Sequence, residues 1–151
     1  MASGAFTSAG TIIGIDQGDE PATFDSTGYA ALTYVDIGEI VDAGEYGKSF
    51  ELVTHNPLGT RETVKRKGSF NSGQMNLQLA RVPSDAGQAA LIAALDADTN
   101  SSFKVTLQDG TVQYFIGQVL SYTTSVGTTN QITGAAAVVE LTSDIVEVAA
   151  P

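Results

Sequence analysis

Few residues in this chain are placed to do chemistry. Its single histidine, His55, stands in His55-Asn56-Pro57-Leu58-Gly59, a run of turn-forming residues. There is no cysteine, so a Cys-His dyad, a disulfide and a thiolate metal site are excluded. Serines and aspartates are numerous enough for a Ser-His-Asp arrangement, but no Gly-x-Ser-x-Gly elbow presents a nucleophile. Asp96-Ala97-Asp98-Thr99-Asn100 begins like a calcium loop and then departs from it. Ser101 stands where the turn needs Gly, and Leu107 where the bidentate Glu belongs. Asp16, Asp19 and Glu20 read as a solvated acidic loop, and Gly68 and Gly73 flank Phe70 without the Lys-Ser/Thr of a phosphate loop. No catalytic, cofactor or metal site is assigned, and no enzymatic activity is expected.

Charge is more informative than chemistry. The net charge is −10, yet residues 1–47 hold eight acidic residues and no Lys or Arg. Five of the seven basic residues, Lys48, Arg61, Lys65, Arg66 and Lys67, fall within one stretch of twenty, against two acidic ones, Glu51 and Glu62. The plain reading is a solvated loop. The sharper one is a charged arm, with Val64 and Phe70 as apolar anchors, that docks on an acidic surface of a like molecule, because complementary charge sets register. A nucleic-acid site is disfavoured: the overall acidity repels phosphate, and no aromatic stands among residues 61–67.

The elements that would carry this surface read as short strands around one helix. Thr11–Ile15 forms a strand; residues 16–28 form an acidic loop; residues 30–40 form the next strand, where Gly38 suggests a bulge. Phe50–Thr54 is a further short strand inside a long, otherwise irregular polar segment, residues 42–73, expected to order on contact with a partner. Gln74–Leu79 alternates polar and apolar residues. Phe103–Gln108 and Thr111–Thr123 flank Asp109-Gly110, a strong hairpin signal. Ile132–Leu141 and Asp144–Val148 close the chain. One domain of mainly β (α+β) class is expected over residues 1–151, a β-sandwich or open barrel, with residues 1–10 a flexible arm. Open sheets have edges, and an unprotected edge seeks another strand. No signal peptide and no membrane span is read, so folding in the cytoplasm is expected.

The helix is predicted over about residues 85–96. Asp85 is the N-cap and Gln88 stands at the third helical position, a capping-box pattern. Ala86, Ala89, Ala90, Ala93, Ala94 and Ala97 share one face, which the spacing predicts to lie on the sheet. From Ala89 to Ala94 no residue is polar. Either the helix is covered on a second side, with Ala90, Leu91, Ala94 and Leu95 meeting another subunit, or a small alanine face stays exposed.

Three runs, Leu79–Leu95 (LARVPSDAGQAALIAAL), Phe103–Ser125 (FKVTLQDGTVQYFIGQVLSYTTS) and Ile132–Ile145 (ITGAAAVVELTSDI), resemble the major tail tube protein of long-tailed, non-contractile phages. The resemblance spans most of the chain, and its helix motif is the most specific part. It implies a structural virion protein: hexameric rings that stack into a hollow tail tube, with the inner sheets closing into one shared barrel. The genome would pass through the lumen without specific binding. It further implies contacts with tail length-ruler, tail-tip and tail-terminator proteins, location in the virion tail after assembly in the host cytoplasm, and no cofactor. The basic segment would reach the neighbouring ring. No C-terminal immunoglobulin-like domain is expected. Two rivals are an inner-tube protein of a contractile tail or secretion needle and a monomeric β-sandwich binding module, the latter short of aromatic platform residues.

Overall fold

The computed structural model describes residues 5–149. The alternation in β6 (Gln74–Ala80) and β9 (Gly134–Leu141) decides the architecture. Met75, Leu77, Leu79, Ala135, Ala137, Val139 and Leu141 all point inward and are buried, while the residues between them point out. These strands pair antiparallel with each other, and β9 pairs in turn with the second half of β8 (Val112–Ser125). The first half of β8 pairs instead with β7 (Ser101–Thr106), and β7 with β1 (Ile12–Asp16). The register slips between Val119 and Ser121, placing Leu120 at a bulge where β8 passes from one layer to the other.

A second segment turns the opposite corner. β2 (Val35–Asp36) pairs with β1, and β3 (Ile40–Asp42) pairs with β6, only three residues apart along the chain. Between them Ile37 N–H donates to Ile13 O at 2.8 Å, and Ala80 N–H donates to Glu39 O at 2.9 Å. Glu39 takes φ of 61°, so the bend expected at Gly38 is made at the next residue, in the left-handed region. The sheet thus curls on itself into a sandwich with two corner strands. In the first layer lie β2, β1, β7, the first half of β8 and β10 (Val146–Val148); in the second, the rest of β8, β9, β6 and β3.

The core lies between the layers: Ile13, Ile15, Phe103, Val105 and Phe115 face the β6 and β9 residues, with Phe103 and Phe115 stacked 5.4 Å apart. A second small cluster is built on Tyr29 of the five-residue helix α1 (Ser26–Ala30), stacked on Tyr114. Helix α1 replaces the end of the expected acidic loop and the start of the expected strand over residues 30–40, of which only Val35–Asp36 and Ile40 are strand. Asp25 caps α1, accepting from Gly28 N–H at 2.8 Å.

Helix α2 (Ala86–Asp96) starts where it is predicted to start, but the face it buries is rotated from the alanine stripe, of which only Ala94 is buried and Ala90 packs on the core. Gly87, Gln88, Leu91 and Ala94 form the buried face; Ala86, Ala89 and Ala93 face solvent. Leu91 is 0% exposed and Ala94 is buried beside it, so neither is available to a second subunit; Ala90 and Leu95, half-buried, pack on the same core. The reason is volume. Burying a leucine stabilises by about 1.5–3 kcal/mol relative to leaving it exposed, whereas an alanine methyl forgoes roughly one methylene's worth, about 0.8 kcal/mol.

Residues 42–73 also depart from the irregular loop expected. They form a β-hairpin of β4 (Ser49–His55) and β5 (Val64–Asn71), paired from Ser49↔Asn71 to His55↔Val64. Three consecutive cations hide the alternation of β5, and its register slips between Phe70 and Lys67. Gly68 lies in that slip, where a Cβ would stand 2.8 Å from Val53 Cγ2.

Candidate functional site: an assembly surface

The polar latch at the start of α2 fixes the corner between the layers. Asp85 caps the helix through Gln88 N–H at 2.9 Å and also accepts from Gly38 N–H at 3.1 Å. Gln88 does not return to the Asp85 N–H, so only half of the capping box forms. Instead its Nε2 donates to Gly38 O at 3.1 Å and Ala80 O at 2.9 Å, while its Oε1 accepts from Val82 N–H at 2.9 Å and Tyr122 O–H at 3.2 Å. One buried amide thus ties β3's approach, β6, α2 and β8 together. Gly87 permits the contact: a Cβ there would stand 2.5 Å from Ile37 Cα and closer still to Asp36 O.

That latch leaves two borders of the second layer open. Among the described residues, no strand pairs with β3 on the side away from β6, and none with residues 118–125 of β8 on the side away from β9. The outer face of this layer has three cross-strand rows: Gln74–Glu140–Gln118, Asn76–Val138–Ser121, and Asp42–Gln78–Ala136–Thr123. Its strands contain no Lys or Arg.

The hairpin gathers most of the sequence-predicted contact residues. Phe70 packs on Phe50 with ring centroids 5.4 Å apart, Lys48 Nζ lies 4.6 Å from the Phe70 centroid, and Lys67 Nζ lies 4.9 Å from that of Phe50. Lys48 also pairs with Asp144 at 2.7 Å, tying the hairpin root to the sandwich. Arg61, Lys65 and Arg66 are exposed, at and beside the tip. Phe50, Leu52 and Phe70 remain 44%, 65% and 53% exposed, an apolar surface that the basic count alone does not reveal. The signal for it lies in the alternation Lys48-Ser49-Phe50-Glu51-Leu52.

The family model for the lambda phage tail tube protein matches residues 26–146, most of the chain. The chain belongs to the lambda phage tail tube protein family. It is a structural tail tube protein of the virion tail. Solved structures of similar fold include a chain of the anti-feeding prophage baseplate (TM-score 0.71, 11% identity, covering 98% of this tail tube protein and 97% of that chain). Another is from the tail of an empty GTA particle with C6 symmetry (TM-score 0.68, 13% identity, 96% and 100% covered). A third is from the SPP1 tail tube (TM-score 0.61, 13% identity, 91% and 75% covered). Assemblies with tube terminators, a cap and a sheath also supply similar chains. No curated protein matches the chain.

The tail tube protein carries one carboxyl with an unusual affinity for protons. Asp16, at the end of β1, is pushed up to about 6, first by partial burial, then by the hydrogen bond and charge of Asp19; the Thr33 N–H at 3.1 Å opposes this. A folded value above the ordinary 3.8 means that the folded state binds the proton better than the unfolded chain does. The contribution to stability is therefore greatest below about pH 4 and is lost as pH rises through about 6. Asp16→Asn keeps an acceptor for Thr33 without the charge. Thermal melts should show it more stable than the parent at pH 7.5 and indistinguishable at pH 4; equal melting at both pH values would refute the assignment.

Proposed function

We propose that this protein forms hexameric rings whose second layers join border to border into one shared barrel, and that the rings stack into the tube through which DNA reaches the host. The carrying observation is the pair of open borders, β3 on one side of the layer and residues 118–125 of β8 on the other. Barrel closure satisfies both at once, because each subunit offers one border to each neighbour. The outer face of that layer then becomes the lumen wall. Amides, hydroxyls and small apolar groups dominate it, with carboxylates at Asp42 and Glu140 and no cation on its strands. Such a wall offers phosphates nothing to bind and lets the genome slide. Catalysis has no part in this role. Assembly in the host cytoplasm, with length-ruler, tail-tip and terminator proteins as partners, completes the reading.

An inner-tube role in a contractile system is the second reading, favoured by similar chains from contractile injection systems. A sheath gene beside this one would select it. The hairpin residues Lys48, Arg61, Lys65, Arg66, Lys67 and Phe70 serve the ring-to-ring contact in either case.

Two measurements test the tube. Purified protein at high concentration should show rings or tubes by negative-stain microscopy; a protein that stays monomeric alongside its tail-tip and length-ruler partners would overturn the reading. A cysteine at Gln78→Cys, the single thiol in the chain, should react with a bulky maleimide in free subunits and be protected at least ten-fold in tubes. Equal labelling in both states would remove this face from the lumen.

A further inference from the structure

We infer that the lysine–phenylalanine face of the β4–β5 hairpin seats on the acidic loop after β1, residues 16–25, of a second copy in the next ring. This rests on the stacking role proposed above and supplies its missing acceptor.

The hairpin is unsatisfied within its own chain. Among the described residues the only ion pair is Lys48–Asp144, at the root; Arg61, Lys65, Arg66 and Lys67 face no carboxylate within pairing distance. Exposed Phe50, Leu52 and Phe70 give the same surface an apolar component. Its partner must therefore be acidic and partly apolar.

The loop after β1 has both properties. Asp16, Asp19, Glu20 and Asp25 lie in the same segment as Phe24, which is 65% exposed, and no basic residue occurs before Lys48. The Asp16 and Asp19 carboxyls lie close enough to raise the proton affinity of Asp16, so this end holds like charge with which no cation among the described residues pairs. A cation from another copy would relieve it.

Strand polarity sends the donor and acceptor segments off in opposite directions, although both leave near the Asp16–Ser102–Ile116 row, where Lys48 meets Asp144. β1 runs antiparallel to β7 and β7 antiparallel to β8, so β1 runs with β8. Through β9 and β6, β3 runs against β8. The loop that follows β1 and the hairpin that follows β3 therefore leave in opposite senses along the strands. A heterologous contact between two different surfaces, repeated without closing, generates a filament. Seven residues of β4 extend the hairpin by about 23 Å at roughly 3.3 Å per residue, enough to cross a ring boundary.

A charge exchange tests the seat. Lys65→Glu with Lys67→Glu, and separately Asp19→Lys with Glu20→Lys, should each reduce the pelletable tube fraction at least ten-fold while circular dichroism is unchanged and the melting temperature does not fall below the parent value. All four changes in one chain should restore tubes. If the parent forms tubes and Asp19→Lys with Glu20→Lys forms them equally well, or if the four-fold exchange restores none, this acceptor is wrong and the tube role stands. A parent that forms no tubes under any condition overturns the role and the seat together.

Discussion

Gln88→Ala should lower the stability of the folded subunit by about 3 kcal/mol, because each buried polar group left unpaired costs roughly 1–3 kcal/mol. The Gln88 side chain is 2% exposed and holds Val82 N–H, Gly38 O, Ala80 O and the Tyr122 hydroxyl. The orientation of the amide is forced: both carbonyls require its NH2, and the backbone N–H requires its oxygen. For a chain of this size such a loss should lower the melting temperature by about 6–12 °C. Calorimetry of Gln88→Leu separates the polar cause from the cavity. Leucine restores much of the volume and none of the hydrogen bonds, so it should be as damaging as alanine. A leucine variant that melts with the parent would assign the effect to packing.

The latch also explains which parts of the molecule could be read from its sequence. The pattern Asp85-Ala86-Gly87-Gln88 marks the helix start correctly, because an N-cap depends on residues within four positions of each other. The destination of Gln88 depends on Gly38 and Tyr122, 50 and 34 residues away, and no local pattern encodes that. Strands with clean alternation, such as β6 and β9, are legible for the same local reason. β5 is not, since Lys65-Arg66-Lys67 presents three like residues to a periodicity that requires contrast; only pairing with β4 makes it a strand. The alanine run misleads in another way. Six small residues do share a stripe, but a helix turns toward the sheet the face that buries the most volume, and Leu91 outweighs the alanines.

The assembly surface divides along the same line. The cluster of cations is visible in one dimension, and it lies where the sequence reading puts an arm. The open borders are invisible there, because an edge exists only once every other strand has found its partner. The expectation of a helix covered on two sides is not needed for incompleteness. The helix has a wet flank at Ala86, Ala89 and Ala93, and the unsatisfied parts of the subunit are the borders and the hairpin.

Gly87→Ala should be the most damaging single-methyl change in the chain for assembly. A methyl at Gly87 meets the backbone at Ile37 Cα and Asp36 O, and backbone cannot rotate out of the way. Helix and corner segment must move apart, which also stretches the Asp85–Gly38 and Gln88–Gly38 hydrogen bonds. Overpacking of this kind typically costs about 1–3 kcal/mol before those bonds are counted. The loss falls on residues 37–42, the segment that carries β3, one of the two borders proposed for ring closure. The effect on assembly should therefore exceed the effect on folding. Hydrogen exchange should show the Ile37 amide, normally bonded to Ile13 O, exchanging at least ten-fold faster, while amides between β7 and β8 keep their parent rates. The pelletable tube fraction should collapse at temperatures where far-ultraviolet dichroism still reports a folded sandwich. Hairpin charge reversals leave this corner untouched, so they should spare rings and block only stacking, whereas Gly87→Ala should prevent the rings themselves. Intact rings from Gly87→Ala, seen by microscopy together with loosened Ile37 exchange, would show that β3 is not a ring border.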